Sequence, residues 1–364
     1  MAPIEVELLG SPERERAAEE WSALERRCEP LFACTWLWTE TWLRHYGDAV
    51  PHEFALARRD GEALAVALVT RSARRAAGLP LLRRLHLGTA GEPGRGVWVE
   101  RNGLLAREED RPGAGAALLA ALRRRGGWDE LCLDGFAPDH AADVLAAAGP
   151  GGAEARREPS PVRRLAGARA AGGGALGALA TGTRRRVRQG LRALDGARTE
   201  ITAGGDRAMA FFDELVELHE ARWDPGIFSD PRVLGFHRDL IARAGGAVWI
   251  SRTTAPVGTV GCLYGFLEST PGGGVAALFY QSGLARFEDN RVRPGLVAHA
   301  GLIDSLIGRE DVELVDYLAG ESRYKRELAD DERELVWARI GGAARRARLV
   351  RAAREKRRAV RRGA

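Results

Sequence analysis

The feature that most constrains this chain is a spacing that occurs twice. Arg111-Pro112-Gly113 and Arg293-Pro294-Gly295 are the same tripeptide 182 residues apart. In each case an aspartate stands 23 residues after the arginine and closes an apolar run, Asp134 in "ELCLD" and Asp316 in "VELVD". Proline suits the first turn of a helix, where an N–H has no intrahelical partner to lose. Each tripeptide therefore opens a helix, and the order hairpin, strand, helix, strand holds on both sides. A chain of 364 residues also exceeds the size at which one core usually stops growing. The spacing predicts a duplicated α/β unit, with a crossover helix joining two parallel strands in each copy. The alternative is a pair of unrelated α/β domains.

The low-complexity stretch "GARAAGGG" (167–174) carries the expected boundary. The predicted domains are residues 1–165 and 166–342, followed by a basic tail, 343–364. In the first half, helical periodicity covers Pro12–Arg27 and Thr35–Tyr46. Two alternating strands then flank Asp60-Gly61, a dipeptide suited to a two-residue hairpin turn. Further strands are expected at Leu81–Leu87 and Val97–Leu105. The second half begins with three helices ("TRRRVRQGLRALDG", "FFDELVELHEARW", "RVLGFHRDLIARAGG") and continues with three strands ("AVWISRT", "VGTVGCLYGFLE", "GVAALFYQSGL").

Charge is concentrated at one end. The net charge is +5, yet Arg345–Arg362 alone holds ten cations against a single acid, Glu355, so the body before it is slightly acidic. Such a tail is a candidate contact for RNA or anionic lipid, or a solvated helix end, but it lacks interleaved aromatics for stacking on bases. The four cysteines show no metal-ligand spacing and read as free thiols in a reducing compartment. No segment has the pattern of a signal peptide or membrane span, so the expected location is cytoplasmic and no metal is expected.

The chemistry is expected at the second helix start and just beyond the second aspartate. A helix N-terminus offers unpaired N–H groups and partial positive charge to a phosphate. Gly295 permits close approach of a ligand and Arg293 adds a charge-assisted contact. Ligands in open α/β sheets bind beyond the carboxyl ends of the strands, which places Arg293 and Tyr317 near one mouth. There lies "GESRYKREL", with Lys325, one of only two lysines among 55 basic residues. An ammonium is a compact charge with three donors, whereas guanidinium is a planar fork. Lys325 is thus a candidate to bind phosphate, neutralise an oxyanion or pair with Asp316, and Tyr324 a candidate proton donor.

Taken together, "HEARW" (219–223), "FYQSGL" (279–284), the helix start at 293–295 and above all "DYLAGESRYK" (316–325) resemble the Gcn5-related N-acetyltransferase superfamily, in its duplicated FemAB-like and CelD/BcsL-like branch. The basic helix "TRRRVRQGLRAL" and the tryptophan-rich "WLWTETWLRHYG" are similar to features of that branch. The resemblance covers most of residues 15–340. It implies an α/β fold with mixed sheets, in which two tandem acetyltransferase-like domains surround a central cleft. It also implies an acyl donor, acetyl or other acyl coenzyme A, on the second domain, with pantetheine between the strands at 279–283 and 313–317. Arg293, Pro294, Gly295, Leu296 and Val297 would receive the donor's pyrophosphate, with Ser282 and Gly283 on the flanking strand. The usual phosphate loop of the superfamily is not intact here, since Pro294 offers no N–H.

The activity implied is N-acyl transfer from coenzyme A to an amine on a small, cell-envelope or polysaccharide-related acceptor. Asp316 and Glu321 are candidate bases, and Tyr324 or Tyr280 a candidate proton donor to the leaving sulfur. A backbone N–H of residues 280–283 is the candidate oxyanion partner. Arg222 and Trp223 are expected in an acceptor pocket, and Arg184 and Arg188, on one helix face with Arg185 close by, clamp an anionic acceptor. His299 is expected to pack, and His219 to lie on a helix surface. Two other readings stay open: an aminoacyl-tRNA-dependent peptidyltransferase, and a noncatalytic ligand-binding protein on a degenerate fold.

Overall fold

The computed structural model describes residues 2–76, 79–320 and 322–342; Glu321 and the basic tail lie outside the described residues. The chain divides into two compact units, Met1–Arg157 with Leu335–Ala364, and Glu158–Glu334. The division falls at 157/158 where the sequence placed it at 165/166, and residues 335–342 group with the first unit rather than the second.

The first unit opens with β1 (Glu5–Leu9), α1 (Arg14–Glu25) and α2 (Trp36–Tyr46). Helix α2 is capped by Thr35, whose hydroxyl accepts from the Trp38 N–H at 3.2 Å, a contact of the kind that stabilises a helix by about 1 kcal/mol. Strands β2 (His52–Arg59) and β3 (Glu62–Ala76) meet at Asp60 and Gly61, both with positive φ (51° and 82°), the backbone a tight antiparallel hairpin requires. Next come β4 (Leu79–Leu87), the two-residue β5 (Leu105–Ala106), α3 (Arg111–Arg125), β6 (Glu130–Phe136) and α4 (Pro138–Ala148). Strands β1 to β4 form an antiparallel meander. Helix α3 then leads into β6, which runs parallel to β4 from Arg84 opposite Glu130 to Leu87 opposite Leu133. The last strand among the described residues, β13 (Asp331–Gly341), pairs antiparallel with β6.

Strand β7 (Ala153–Arg164) crosses into the second unit. It is followed by α5 (Leu165–Ala171), α6 (Gly174–Ala178), α7 (Thr181–Leu194), β8 (Arg198–Thr202), α8 (Gly205–Arg222) and α9 (Pro231–Ala244). The remaining elements are β9 (Val248–Ala255), β10 (Gly258–Ser269), β11 (Val275–Leu284), α10 (Pro294–Ile307), β12 (Val312–Asp316) and α11 (Arg323–Leu328). Strands β8 to β11 form a second antiparallel meander. After α10, β12 runs parallel to β11, and β7 pairs antiparallel with β12. The two units repeat one strand order, as the doubled spacing implies.

Two expectations are corrected. Residues 97–104 form no strand, and only Leu105 of the expected stretch is in one, the two-residue β5: Val97 and Val99 are buried, so their alternation reflects burial in irregular chain, with Asn102 bonded to the carbonyls of Leu87 and Asp134. The stretch 167–174 is not an open linker. Ala168 is buried, Leu165 just before the stretch belongs to the core of the second unit, and Arg169 donates to the carbonyls of Ile307, Arg309 and Val312. Small residues there permit close helix packing.

Candidate functional site

The site develops where β11 and β12 stop pairing. Their parallel ladder runs from Val275 opposite Val312 to Leu278 opposite Asp316. Strand β12 ends at Asp316, while β11 continues to Leu284. The edge of β11 from Phe279 onward is therefore unpaired by β12. At the same place the ladder with β10 slips, Tyr264 facing Gln281 and Gly265 facing Phe279, which leaves Tyr280 as an extra residue in a bulge. A bulge bends its strand and redirects side chains. The N–H of Ser282 is held by the Gln281 Oε1 at 2.9 Å. A Cβ on Gly283 would stand 2.1 Å from the Leu215 carbonyl of α8, so only glycine lets that helix lie against this strand.

Opposite this edge, the turn after β12 is tied from both sides. Asp316 is fully buried; its Oδ1 accepts from the Ser160 hydroxyl at 2.5 Å and from the Leu318 N–H at 2.9 Å. Lys325 Nζ donates to the carbonyls of Ala319 at 2.6 Å and Leu318 at 3.3 Å. The turn needs these ties because Leu318 and Gly320 both have positive φ (57° and 115°), a costly region for leucine. An ammonium is a compact charge with three donors, so the single Nζ serves both adjacent carbonyls.

Tyr324, on α11, stacks on His299 of α10 with centroids 5.4 Å apart and planes 23° from parallel. His299 also meets Phe279 at 4.7 Å and Tyr317 at 5.4 Å, both edge to face. Burial, aided by the Lys325 charge, pushes the imidazole down to about 3, so the ring is neutral at physiological pH. Burial raises the Tyr324 phenol to about 12, so it keeps its proton. Among the described residues the His299 Nδ1 and the Tyr317 hydroxyl are buried without hydrogen-bond partners. Orphaned polar atoms of this kind cost about 1–3 kcal/mol each and mark places where a water or ligand is accommodated.

The start of α10 is poor in donors. Arg293, exposed, holds an αL backbone (φ 49°, ψ 63°) as the cap residue. Its carbonyl accepts from the N–H groups of both Leu296 and Val297, and Pro294 has none. Gly295 supplies the remaining first-turn N–H. Leu296 and Val297 are buried in the core.

The sequence-derived candidates separate into groups. Asp316 and Lys325 converge on Leu318. Tyr280 and Tyr324 are not brought together: Phe279 turns to His299, whereas Tyr280 packs among His237, Tyr264 and Phe266. Tyr317 is fully buried and does not open to a mouth. Arg222 offers its carbonyl to Arg286, two residues beyond β11, at 2.8 Å, and Trp223 beside it is 58% exposed. Arg184 caps the carbonyls of Gly177 and Leu179, while Arg188 is exposed. His219 is buried against Phe228, not on a helix surface, with its pKa lowered by burial. The aromatic setting of His299 was missed, because residues 279, 299, 317 and 324 share no local pattern in the chain.

Residues 181–326 match the family described as the acetyltransferase (GNAT) domain. This segment is a GNAT domain. Among solved structures the chain is similar to FemX (11% identity, 92% of this chain and 97% of that one, TM-score 0.56). It is similar also to the C-terminal domain of a putative lysylphosphatidylglycerol synthetase from Agrobacterium fabrum (13%, 93% and 96%, TM-score 0.54). A third is a conserved protein of unknown function from Bacteroides thetaiotaomicron (10%, 94% and 100%, TM-score 0.51). At these identities the likeness is one of fold. No curated protein sequence matches significantly. In this GNAT domain the parted strands and the bulge lie within the matched residues. Among the described residues no helix is long and apolar enough to cross a membrane.

Proposed function

We propose that the second unit transfers an acyl group, acetyl in the simplest case, from coenzyme A to an amine of a small or cell-envelope-related acceptor. The observation that carries this reading is the parting of β11 from β12 at Leu278 and Asp316, with Tyr280 bulged at the same level. An unpaired strand edge is a template for the amide groups of an extended ligand, and pantetheine supplies such amides. The Gln281 side chain, now on the Ser282 N–H, would yield that donor to the ligand.

In this reading the chain contributes mainly orientation. Backbone N–H groups at the bulge hold the carbonyl oxygen as negative charge develops. Tyr324, kept protonated by burial, delivers a proton to the departing thiolate. Asp316 and Lys325 act through the turn they hold. Gly295 N–H and Arg293 meet the diphosphate, and Trp223 with Arg222 borders the acceptor.

A second reading, with an aminoacyl-tRNA donor, is favoured by one observation: the α10 start has a single open amide, at Gly295, where a pyrophosphate would use several. Calorimetric titration with acetyl coenzyme A separates the two. The coenzyme reading expects saturable binding weakened at least about 10-fold by Arg293→Ala, consistent with a charge-assisted contact, and thiol release on addition of an amine. Absence of binding, with tRNA co-purifying instead, would favour the alternative; neither would leave a noncatalytic binding protein.

A further inference from the structure

The first unit carries a hydrogen-bonded relay that acyl transfer on the second unit does not use. Ser72 on β3, His86 on β4 and Asp134 on β6 are brought side by side by the sheet. The Ser72 Oγ lies 2.8 Å from His86 Nε2, and His86 Nδ1 lies 2.7 Å from Asp134 Oδ2. A carboxylate can only accept from the imidazole, so Asp134 fixes the proton on Nδ1 and leaves Nε2 as acceptor for the serine hydroxyl. That is the order of groups that activates a serine as nucleophile. We propose that Ser72, His86 and Asp134 form a nucleophilic serine site that takes the acyl group of a small carboxylic ester or thioester.

Further geometry supports the assignment. Ser72 is half-buried, hence reachable, while His86 is 8% exposed and shielded from water. The loop Gly88–Gly96 passes beside both: a Cβ on Gly91 would stand 3.3 Å from Ser72 Cβ and 3.4 Å from His86 Nε2. Gly91 has φ 89°, and its N–H has no acceptor among the described residues. The loop thus brings backbone, not a side chain, up to the serine, and offers an amide donor for an oxyanion. Cys132 has its sulfur within 4.8 Å of the ligand atoms of His86 and Asp134. Burial pushes its thiol up to about 12, so it is protonated and a poor nucleophile.

The step balances without a further reagent. The serine oxygen attacks the carbonyl as its proton passes to His86 Nε2. That proton leaves with the departing alcohol or thiol, and water, deprotonated by the same imidazole, releases the acid. The sequence alone showed Asp134 only as the counterpart of Asp316, and the structure gives the two different partners.

The full-length protein treated with diisopropyl fluorophosphate provides the test. Peptide mass spectrometry is expected to map one diisopropylphosphoryl group to Ser72, with labelling slowed at least about 100-fold in His86→Gln and Asp134→Asn. p-Nitrophenyl acetate and acetylthiocholine serve as ester and thioester arms, each expected to give a burst equimolar with enzyme that Ser72→Ala abolishes. Circular dichroism of each variant confirms folding, and the thiol introduced by Ser72→Cys is expected to react with iodoacetamide faster when His86 is present than when Ser72→Cys is combined with His86→Gln. No labelling of folded wild-type protein, labelling at Cys132, or labelling insensitive to His86→Gln would overturn the proposal.

Discussion

Tyr324 and His299 lie ring on ring, 5.4 Å apart and 23° from parallel, with the histidine buried and the tyrosine largely so. The stack fixes the phenol ring through its face and leaves its hydroxyl as the group that can do chemistry. Tyr324→Phe keeps the stack and removes the hydroxyl. The expected result is a fall of about 10²–10⁴-fold in the maximal rate of thiol release, the range for a lost general acid, with KM and melting temperature nearly unchanged. His299→Ala removes the stack, and is expected to lower stability by about 2 kcal/mol or more, as truncation of a buried ring does. Steady-state kinetics and thermal denaturation measure both.

The same histidine sets a pH dependence. His299 titrates near 3 in the folded chain and His140, depressed by burial and by Arg111, near 4, against about 6.5 unfolded. Between these values the unfolded chain binds protons that the folded chain does not, so stability is complete above about pH 6.5 and is lost as pH falls through that window. Thermal denaturation from pH 7.5 to 4.5 is expected to show a falling midpoint. Because the two histidines lie in different units, His299→Phe is expected to flatten the dependence of the second unit's transition alone.

Lys325 is expected to act on the turn it holds. Lys325→Met frees the Leu318 and Ala319 carbonyls and leaves Leu318 with an unsupported positive φ, at a cost of about 1–3 kcal/mol. Faster amide exchange over residues 317–320 would report it. Lys325→Arg is not expected to restore protection. Equal protection in the arginine variant would mean that charge alone, not the compact ammonium, is what the position requires.

Asp316→Ala is expected to be more damaging than either, because it orphans the Ser160 hydroxyl and the Leu318 N–H together. Loss of stability without change in the pH profile of the remaining activity would assign it to holding the turn. A shifted acid limb would assign it to proton transfer.

Much of this architecture is legible in the chain because its signals are local. The positive-φ pair Asp60-Gly61 marks a hairpin, and the doubled Arg-Pro-Gly marks both crossover helices. Thr183, Val187, Gly190 and Leu194, spaced to share one face, are the buried positions of α7. The errors also have physical causes. Val97 and Val99 alternate because both are buried, yet Asn102 rather than a strand ladder satisfies the nearby backbone. "GARAAGGG" reads as a linker by composition, but Leu165 and Ala168 anchor a helix there. The aromatic setting of Tyr324, and the contact of Ser72 with His86, arise from sheet register and helix packing, which leave no trace at short range.

The central claim is that an acyl donor lies along the free edge of β11 and meets the start of α10. Hydrogen exchange of the full-length protein, with and without saturating acetyl coenzyme A, tests it most directly. The account expects slower exchange at residues 279–284 and 295–297, with no comparable change over β8 and β9. Binding of the coenzyme with protection elsewhere, or unchanged exchange at both segments in folded protein, would contradict it.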